Sequence, residues 1–331
     1  MKKAIALISG GLDSILAARL IKEQGIEIIP LYFKIPFCQR EKKNKDRGRW
    51  VADNLGVELK SVDIGKDFLP LLTQPKHGFG ANLNPCIDCK ILMLKKSKEM
   101  MPGLDAAFVV SGEVLGQRPM SQYRRALETI EKESGLEGLV LRPLSAKLLS
   151  ETIPEREGWV KRNHLLDFQG RSRRPQRELA VKFKIKDYPN AAGGCLLTDS
   201  EFTRRLKDLI AHQGLSLQNI ELLKIGRHFR LGPETKLVVG RNEEENEELA
   251  NLAKENDYFF SPDEKIAGPI SLGRGRFDGD LIKLASSIAL RYCDLNGQTH
   301  SEIIYRRLPQ AEEKRIEMSA ILENELNILR L

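Results

Sequence analysis

The sequence predicts an α/β protein: a first domain with a Rossmann-like, doubly wound parallel sheet, and a second, smaller α+β domain. The first prediction depends on apolar runs at residues 4–8, 26–37 and 57–64, which alternate with helical stretches at 15–24 and 41–54. Strands that alternate with helices are typical of a parallel sheet. The second depends on a hairpin signal after residue 221, because a hairpin joins antiparallel strands.

The remaining elements of the first domain follow in chain order. Residues 73–84 contain glycine and proline and predict a loop, after which Pro85 opens a helix, since proline suits a first helical turn. Residues 106–110 predict a buried strand, and residues 140–144 predict the last strand of the sheet. Ligands of such sheets bind outside the carboxyl ends of the strands. We therefore expect the site after the strands at 4–8 and 106–110.

The C-terminal part of the chain predicts a hairpin, a capped helix and a closing helix. The hairpin turns at Gly232-Pro233, and Asn242 is expected to cap a helix with Glu245 at the capping-box position. A strand at 258–260 and a helix at 278–292 follow. The expected division of the chain is a first domain at 1–155, a basic connector at 156–220 and a C-terminal domain at 221–331.

The composition excludes a membrane-spanning protein and favours a polyanionic partner. The 331 residues are 41% hydrophobic and 30% charged, with a formal net charge of +7. No apolar stretch approaches the roughly 20 residues that cross a bilayer, and the apolar segment after Met1-Lys2-Lys3 is short for a signal peptide. We expect a cytoplasmic protein that does not contact membranes.

A glycine turn joins the first strand to the first helix and predicts a phosphate site. Its sequence is Ser9-Gly10-Gly11-Leu12-Asp13-Ser14. Glycine lets backbone amides approach an anion, and the free amides at a helix start attract phosphate. The turn differs from a Walker loop, which has a lysine before its Ser/Thr, and from the Gly-x-Gly-x-x-Gly of dinucleotide folds. An acid such as Asp13 beside phosphate oxygens needs a cation.

The cysteines predict chemistry or burial, since five is an odd number and does not indicate a disulfide framework. Cys86 and Cys89 share one face of a predicted helix start, whose dipole lowers the pKa of a thiol, and Cys195 follows in a turn of small residues. Three thiolates suit a [4Fe-4S] cluster with one open iron. A persulfide and disulfide relay, zinc and plain packing are the alternatives. Cys38 is a candidate fourth ligand, and Cys293 is expected in the core.

Three motifs together resemble the PP-loop ATPases of the HUP type, in particular the nucleotide-binding domain of tRNA 4-thiouridine synthetases. They are the turn at 9–14, then Ser111-Gly112-Glu113-Val114-Leu115-Gly116-Gln117 with Ser121-Gln122, and Leu141-Arg142-Pro143-Leu144 with Lys147. The resemblance covers about the first 150 residues. It implies cleavage of ATP between its α and β phosphates with Mg²⁺, adenylation of a uridine carbonyl in tRNA, sulfur attack and loss of AMP.

The resemblance also implies roles for individual residues. Those expected to bind ATP are Ser9, Gly10, Gly11, Asp13, Ser14, Gly112 and Gln117. Those expected to act in catalysis are Asp13, Cys86, Cys89, Lys147 and Cys195. Lys147 is a candidate for neutralising charge that develops as the adenylate forms. The three cysteines also resemble the cluster-dependent branch of tRNA thiolases, in which an open iron carries the sulfur, so they are the expected metal ligands.

A separate part of the chain is expected to hold the RNA, because nothing here resembles the N-terminal RNA-binding module or rhodanese-like tail of familiar 4-thiouridine synthetases. Val239-Gly240-Arg241-Asn242 with Glu245-Asn246 is similar to the NFACT-R type of RNA-binding domain. Basic residues in the connector are expected to grip phosphates, which position RNA without reading its sequence. The expected RNA-binding residues are Arg171, Arg173, Arg174, Arg177 and Arg241.

These features together predict a tRNA sulfurtransferase that makes thiouridine, and the resemblance implies 4-thiouridine. The expected cofactors are ATP, Mg²⁺ and a [4Fe-4S] cluster. The expected partners are tRNA and a sulfur donor, either sulfide or a cysteine desulfurase. The alternatives are a 2-thiouridine-forming or other PP-loop adenylating enzyme, and an RNA- or ATP-binding protein without turnover.

Overall fold

The structure, a computed structural model, describes residues 2–38, 47–188, 195–212, 214–310 and 312–331. It divides into two compact units, Met1–Thr198 and Asp199–Leu331. The segment expected as a connector at 156–220 is therefore divided between the two units, and the first unit extends beyond the expected boundary at residue 155. Within the described ranges, every helix is too short or too polar to cross a membrane.

The first unit is built on one parallel sheet. Its strands are β1 (Lys3–Leu7), β2 (Glu27–Lys34), β3 (Lys60–Asp63), β4 (Phe108–Ser111) and β5 (Val140–Leu141). Its α-helices are α1 (Leu12–Lys22), α2 (Arg47–Leu55), α3 (Gly65–Phe68), α4 (Cys86–Leu104), α5 (Arg124–Ser134), α6 (Ile153–Arg156) and α7 (Arg174–Lys182). The strands pair in parallel in the order β3-β2-β1-β4-β5. The predicted Rossmann-like sheet is confirmed.

Helices cover both faces of this sheet. Ala4 and Ala6 of β1 belong to one apolar core together with Ile15 of α1, whereas Ile5 belongs to a second core with Ile91 of α4. Strands buried on both faces read as continuous apolar runs, which is why the sequence shows them so clearly. Ala180 of α7 joins the first core, so the basic segment contains a helix that packs within the first unit.

The strand order places a crevice at the ends of β1 and β4. β1 lies between β2 and β4, so the order of strands reverses at this point of the sheet. Ligands bind at such switch points because the loops that follow the two strands diverge there. The phosphate loop at 9–14 follows β1, and Gly112 follows β4. Both motifs therefore lie at one edge of the sheet.

The second unit is built on an antiparallel sheet. Its helices are α8 (Ser200–His212), α9 (Leu217–Leu222), α10 (Glu243–Leu252), α11 (Gly279–Leu290) and α12 (Glu323–Leu329). Its strands are β6 (Arg227–Gly232), β7 (Thr235–Val239), β8 (Tyr258–Pro262), β9 (Ser271–Arg274), β10 (His300–Arg307) and β11 (Lys314–Ser319). The strand order is β11-β10-β8-β9-β7-β6. The hairpin β6–β7 is confirmed, as is the cap of α10, where Asn242 Oδ1 accepts a hydrogen bond from Glu245 N at 2.9 Å.

The expectation of a closing helix at 278–292 is only partly correct. That helix is α11, but the chain continues into the hairpin β10–β11 and ends in α12. β11 is an edge strand whose residues are mostly exposed, with the sequence Lys314-Arg315-Ile316-Glu317-Met318-Ser319. A strand with charged residues at its exposed edge gives little apolar signal, since charge protects edges from aggregation.

A buried ion pair stabilises the second unit. Asp257 and Arg274 are 3% and 8% exposed, and Arg274 Nη2 donates to Asp257 Oδ2 at 2.6 Å. Arg274 Nη1 also donates to Asn219 Oδ1 at 3.0 Å. The guanidinium therefore has partners for its buried donors.

We expect Asp257→Ala to lower the free energy of unfolding by about 3–5 kcal/mol, because it leaves a buried guanidinium without its counter-charge. Urea denaturation measures the change. Asp280→Ala is the matched control, since that side chain is 95% exposed, and it should leave the unfolding curve unchanged. Equal curves for the two variants would contradict the assignment.

Candidate functional site

The phosphate loop closes on itself at the start of α1. Gly10 has φ of 81°, a left-handed conformation that glycine adopts without strain. Ser14 Oγ donates to Gly11 O at 2.8 Å and accepts from Ser9 N at 3.3 Å, which ties the two ends of the turn together. Gly11 is the N-cap and supplies no side-chain cap, so the first amides of α1 stay available to an anion.

Gly112 packs directly against this loop. A Cβ at Gly112 would lie 2.6 Å from Asp13 C and from Ser14 N and Cα. Such a distance to backbone atoms leaves no room for any side chain. The glycine therefore allows the end of β4 and the phosphate loop to meet, which the sequence motif alone did not explain.

Asp13 holds an oxygen that lacks a partner. Its Oδ2 accepts from Gln117 Nε2 at 2.8 Å and lies 3.6 Å from Arg173 Nη2. Its Oδ1 is buried without a hydrogen-bond partner among the described residues. A buried acceptor left unpaired costs free energy, and a divalent cation prefers carboxylate oxygens. The residues present therefore fit Mg²⁺ at Asp13 Oδ1.

α7 contributes two residues that sequence reasoning missed at this site. Arg173, an expected RNA contact, lies beside Asp13 at the N-cap of α7. Gln176 is 1% exposed, and its Nε2 donates to Gln117 Oε1 at 2.9 Å, which orients Gln117 toward Asp13. No periodicity marks either residue, because their role depends on how α7 packs against α1.

A buried charge network lies behind the site. Glu113 Oε2 accepts from Arg142 Nε at 3.1 Å, and Glu113 Oε1 lies 3.7 Å from Lys90 Nζ. Burial raises the pKa of a carboxyl, but Lys90 and Arg142 hold the pKa of Glu113 below its ordinary value. Lys90 belongs to the start of α4, so this network ties the end of β4 to the helix that carries Cys86 and Cys89. Lys147 is exposed in the turn Ala146–Leu148, and its catalytic role stays a prediction.

Four thiols belong to this part of the first unit. Cys86 and Cys89 lie in the first turn of α4, and Cys86 Sγ donates to Asn84 Oδ1 at 3.0 Å. Cys38 and Cys195 face each other across an isolated antiparallel bridge, next to which Leu196 N donates to Phe37 O at 2.8 Å. Asn82 Nδ2 donates to Thr198 O at 2.9 Å, so the loop before α4 contacts the turn after Cys195. Because Cys38 lies directly opposite Cys195, it belongs with Cys86, Cys89 and Cys195 in this group of thiols.

The thiols differ from expectation in their acidity. Burial raises the pKa of Cys86 and Cys89, and it raises the pKa of Cys195 to about 11. Desolvation of the thiolate therefore outweighs the helix dipole, which was expected to lower these values. Among the described residues, no three Cys, His, Asp or Glu side chains form a group that could hold a metal ion. As placed, the side chains do not fit a cluster, although thiolates are soft ligands of the kind that iron–sulfur clusters use.

Cys293, expected in the core, is half-buried and packs against the apolar core of the second unit.

The other residues expected to bind RNA lie at the surface. Arg171, Arg174 and Arg177 are exposed, and Arg174 Nε donates to Glu178 Oε1 at 2.8 Å. In the second unit, Arg241 Nη2 lies 2.8 Å from Glu245 Oε1. Two of these guanidiniums therefore already have a carboxylate beside them, which weakens the local positive field.

Two family models match the chain. Residues 1–151 match the model described as "Thiamine biosynthesis protein (ThiI)", and residues 226–329 match "NFACT protein RNA binding domain". The chain joins a ThiI-type PP-loop domain to an NFACT-R-type domain. The ThiI-type match contains the phosphate loop, Gly112 and the Cys86–Cys89 pair, whereas Arg173 and Cys195 lie beyond it.

Proteins similar to this chain include some that are named for tRNA thiolation. The tRNA-specific 2-thiouridylase MnmA of Methylobacillus flagellatus is 25% identical over 269 residues, which cover 75% of this chain and 70% of the relative. A "Probable tRNA sulfurtransferase" of Thermococcus kodakarensis is 27% identical over 115 residues, covering 35% of this chain and only 30% of the relative. A solved 4-thiouridine synthetase in complex with RNA and ATP aligns with a TM-score of 0.38 and 19% identity, covering 67% of this chain and 52% of that one.

We expect Gly112→Ala to weaken ATP binding about tenfold or more, because the added methyl group must displace the loop backbone at a cost of about 1–3 kcal/mol. Isothermal titration calorimetry measures the affinity. Gly103→Ala is the matched control, since no atom lies within 4 Å of a Cβ there. Unchanged affinity in Gly112→Ala would show that the close approach does not shape the nucleotide site.

Proposed function

We propose that this ThiI-type chain is an ATP-dependent tRNA sulfurtransferase that adenylates a uridine carbonyl and replaces its oxygen with sulfur. The observation that supports this most directly is that one segment, residues 111–122, adjoins both the phosphate loop and the thiol helix. Gln117 contacts Asp13, and Glu113 contacts Lys90 in the first turn of α4. Thiolation needs ATP to activate the base and sulfur to replace its oxygen. Residues 111–122 connect the proposed ATP-binding loop with the helix that carries the thiols, which fits such a reaction.

The first half of the reaction uses the phosphate loop. The uridine carbonyl oxygen attacks the α-phosphate of ATP, and pyrophosphate leaves. Amides at Gly10 and Gly11 and the guanidinium of Arg173 are the proposed donors to the phosphates, and Asp13 is the proposed ligand of Mg²⁺, which neutralises phosphate charge when bound. The loop has no lysine for a γ-phosphate, which favours pyrophosphate over phosphate as the leaving group. Lys147 keeps its proposed role in neutralising charge on the adenylate.

The second half uses the thiols. Sulfur attacks the activated carbon of the base, and AMP leaves with the original oxygen. Cys86, Cys89 and Cys195 are proposed to carry this sulfur. A cysteine desulfurase would pass its persulfide sulfur to one of these thiols; after that sulfur bonds to the carbon, a second thiol attacks the S–S bond, which releases thiouridine and leaves a cysteine disulfide for an external thiol to reduce. Sulfide already has the oxidation level of the product sulfur, so it would act directly or from a cluster and not as a persulfide. The persulfide route accords with the arrangement of the thiols, which among the described residues form no group that could hold a metal ion, and the [4Fe-4S] cluster on the same three residues is the competing proposal. The two differ in iron content, which can be measured.

The position of the sulfur has two candidates. The sequence motifs imply 4-thiouridine, whereas most relatives are named 2-thiouridylases, which favours 2-thiouridine. Liquid chromatography with mass spectrometry separates these isomers by their retention times, in nucleosides from tRNA incubated with the protein, ATP and sulfide.

We propose that tRNA contacts the NFACT-R-type domain and the exposed Arg171, Arg174 and Arg177. Arg173 is proposed to contact ATP.

We expect Asp13→Ala to slow single-turnover formation of AMP by about 10²–10³-fold, because the cation site and the link to Gln117 are lost together. Quench-flow with labelled ATP and tRNA measures it. Asp67→Ala is the control, since Asp67 pairs at the surface with Lys96 and is 47% exposed. Formation of ADP by the unaltered protein would contradict the proposed adenylation, and an RNA- or ATP-binding protein without turnover would form neither product.

We expect Cys86→Ser, Cys89→Ser and Cys195→Ser each to reduce thiouridine to background while AMP formation continues, because only the sulfur step needs these atoms. Cys38→Ser should also lower thiouridine, since the structure places Cys38 opposite Cys195. Cys293→Ser is the matched control, since Cys293 belongs to the second unit, where its Sγ donates to Ala289 O at 3.4 Å. Iron and acid-labile sulfide after anaerobic reconstitution would identify the cluster. Their absence with thiolation intact would identify the persulfide relay.

A further inference from the structure

One face of the hairpin β6–β7 carries a concentration of basic side chains. The strands pair Arg230 with Lys236 and His228 with Val238, and cross-strand partners two residues apart along a strand share one face. Asp208 of α8 accepts hydrogen bonds from Arg230 Nε at 2.9 Å and Nη2 at 2.6 Å. This bidentate pair anchors α8 on that face.

Lys236 is the unusual member of this face. It is 2% exposed, and its Nζ lies 3.6 Å from Asp208 Oδ2 without a hydrogen-bond partner among the described residues. The carboxylate of Asp208 also forms an ion pair with Arg230, so one negative charge balances two positive charges. Burial lowers the pKa of Lys236 to about 8, which leaves it mainly charged at neutral pH. A buried ammonium with unfilled donors is costly unless another anion approaches.

Two further guanidiniums adjoin this cluster. Arg205 lies three residues before Asp208 on α8 and therefore on the same helix face. Arg205 is half-buried, and the structure gives it Glu201 O at 3.2 Å and the Phe202 ring but, within the described ranges, no carboxylate. Burial, and next the charge of Arg241, lower the pKa of Arg205, so the two guanidiniums repel each other.

We propose that Arg205 and Arg241, beside the buried charge of Lys236, form a binding site for a phosphate of the RNA backbone. Phosphate oxygens would accept hydrogen bonds from both guanidiniums, and their charge would offset the excess beside Lys236. Asp208 is held by Arg230 and Glu245 by Arg241. Two more acids, Asp199 and Glu201, act on Arg205 through their charge, and Glu201 pairs with Arg204. The inference rests on the proposed function, since it takes tRNA as the ligand.

The site extends beyond the part of the chain that the NFACT-R family model matches. That match begins at residue 226, whereas Arg205 and Asp208 belong to α8, which precedes it. α8 would thereby enlarge the RNA-binding surface of the second unit.

The test uses filter binding of tRNA to the full chain across a salt series. We expect Arg205→Gln to weaken binding about tenfold and to reduce the slope of log affinity against log salt by about 0.7–0.9, the value for one phosphate contact. Arg204→Gln is the matched control on the same helix, because Arg204 is 52% exposed and already pairs with Glu201 at 2.7 Å. It should change affinity less than about twofold.

Two more variants make the outcome decisive. Arg205→Lys keeps the positive charge, so this variant should bind tRNA nearly as the unaltered chain does. The double variant Arg205→Gln with Arg241→Gln should lose less affinity than the product of the two single losses, because both arginines contact one phosphate. If Arg205→Gln fails to fold by circular dichroism, Arg241→Gln must show the same loss for the proposal to stand. Equal affinities for Arg204→Gln and Arg205→Gln, with tRNA still bound, overturn this site alone. A chain that binds no tRNA overturns the proposed function as well.

Discussion

The approach of the Gly112 backbone to the phosphate loop is the constraint on which the first unit's site depends. A side chain there would overlap Asp13 and Ser14, so the end of β4 and the start of α1 can meet only through glycine. This contact fixes the position of the segment that follows β4, residues 112–117. It brings Gln117 to the carboxylate of Asp13, and it places Glu113 where Lys90 can neutralise it. One segment of backbone therefore supports both the phosphate loop and α4, the helix that carries Cys86 and Cys89.

Burial determines the chemical state of the groups around that contact. Two cations compensate the desolvation of Glu113 and hold its pKa below the ordinary value, whereas at Cys86 and Cys89 burial outweighs the charge of Lys90 and the pKa values rise. Asp13 has one oxygen held by Gln117, and its other oxygen has no hydrogen-bond partner among the described residues, which fits a cation there. A thiol reacts as its thiolate, so the raised pKa values of the cysteines limit their reactivity.

The basic charge of the chain serves more than one purpose. Arg173 lies against the phosphate loop, Arg174 pairs with a neighbouring glutamate, and Arg171 is exposed, although all three lie within four residues. In the second unit, Lys236 is buried with its donors unfilled, whereas Arg241 is half-exposed. A run of positive residues in sequence is therefore a poor guide to a single ligand, because helical geometry turns adjacent side chains to different surroundings.

The sequence by itself determined the doubly wound sheet, the phosphate loop and the hairpin with the Asn242 cap. These are local patterns, since apolar runs, glycine turns and capping residues act through neighbours in the chain. It did not determine the boundary between the units, the hairpin β10–β11, or the surroundings of Arg173, Gln176 and Cys38. Those depend on contacts between distant segments: α7 packs on α1, and Cys38 meets Cys195 only when the chain returns to the same edge. The raised thiol pKa values were likewise decided by tertiary structure, because desolvation depends on what covers a side chain and not on its position at a helix start.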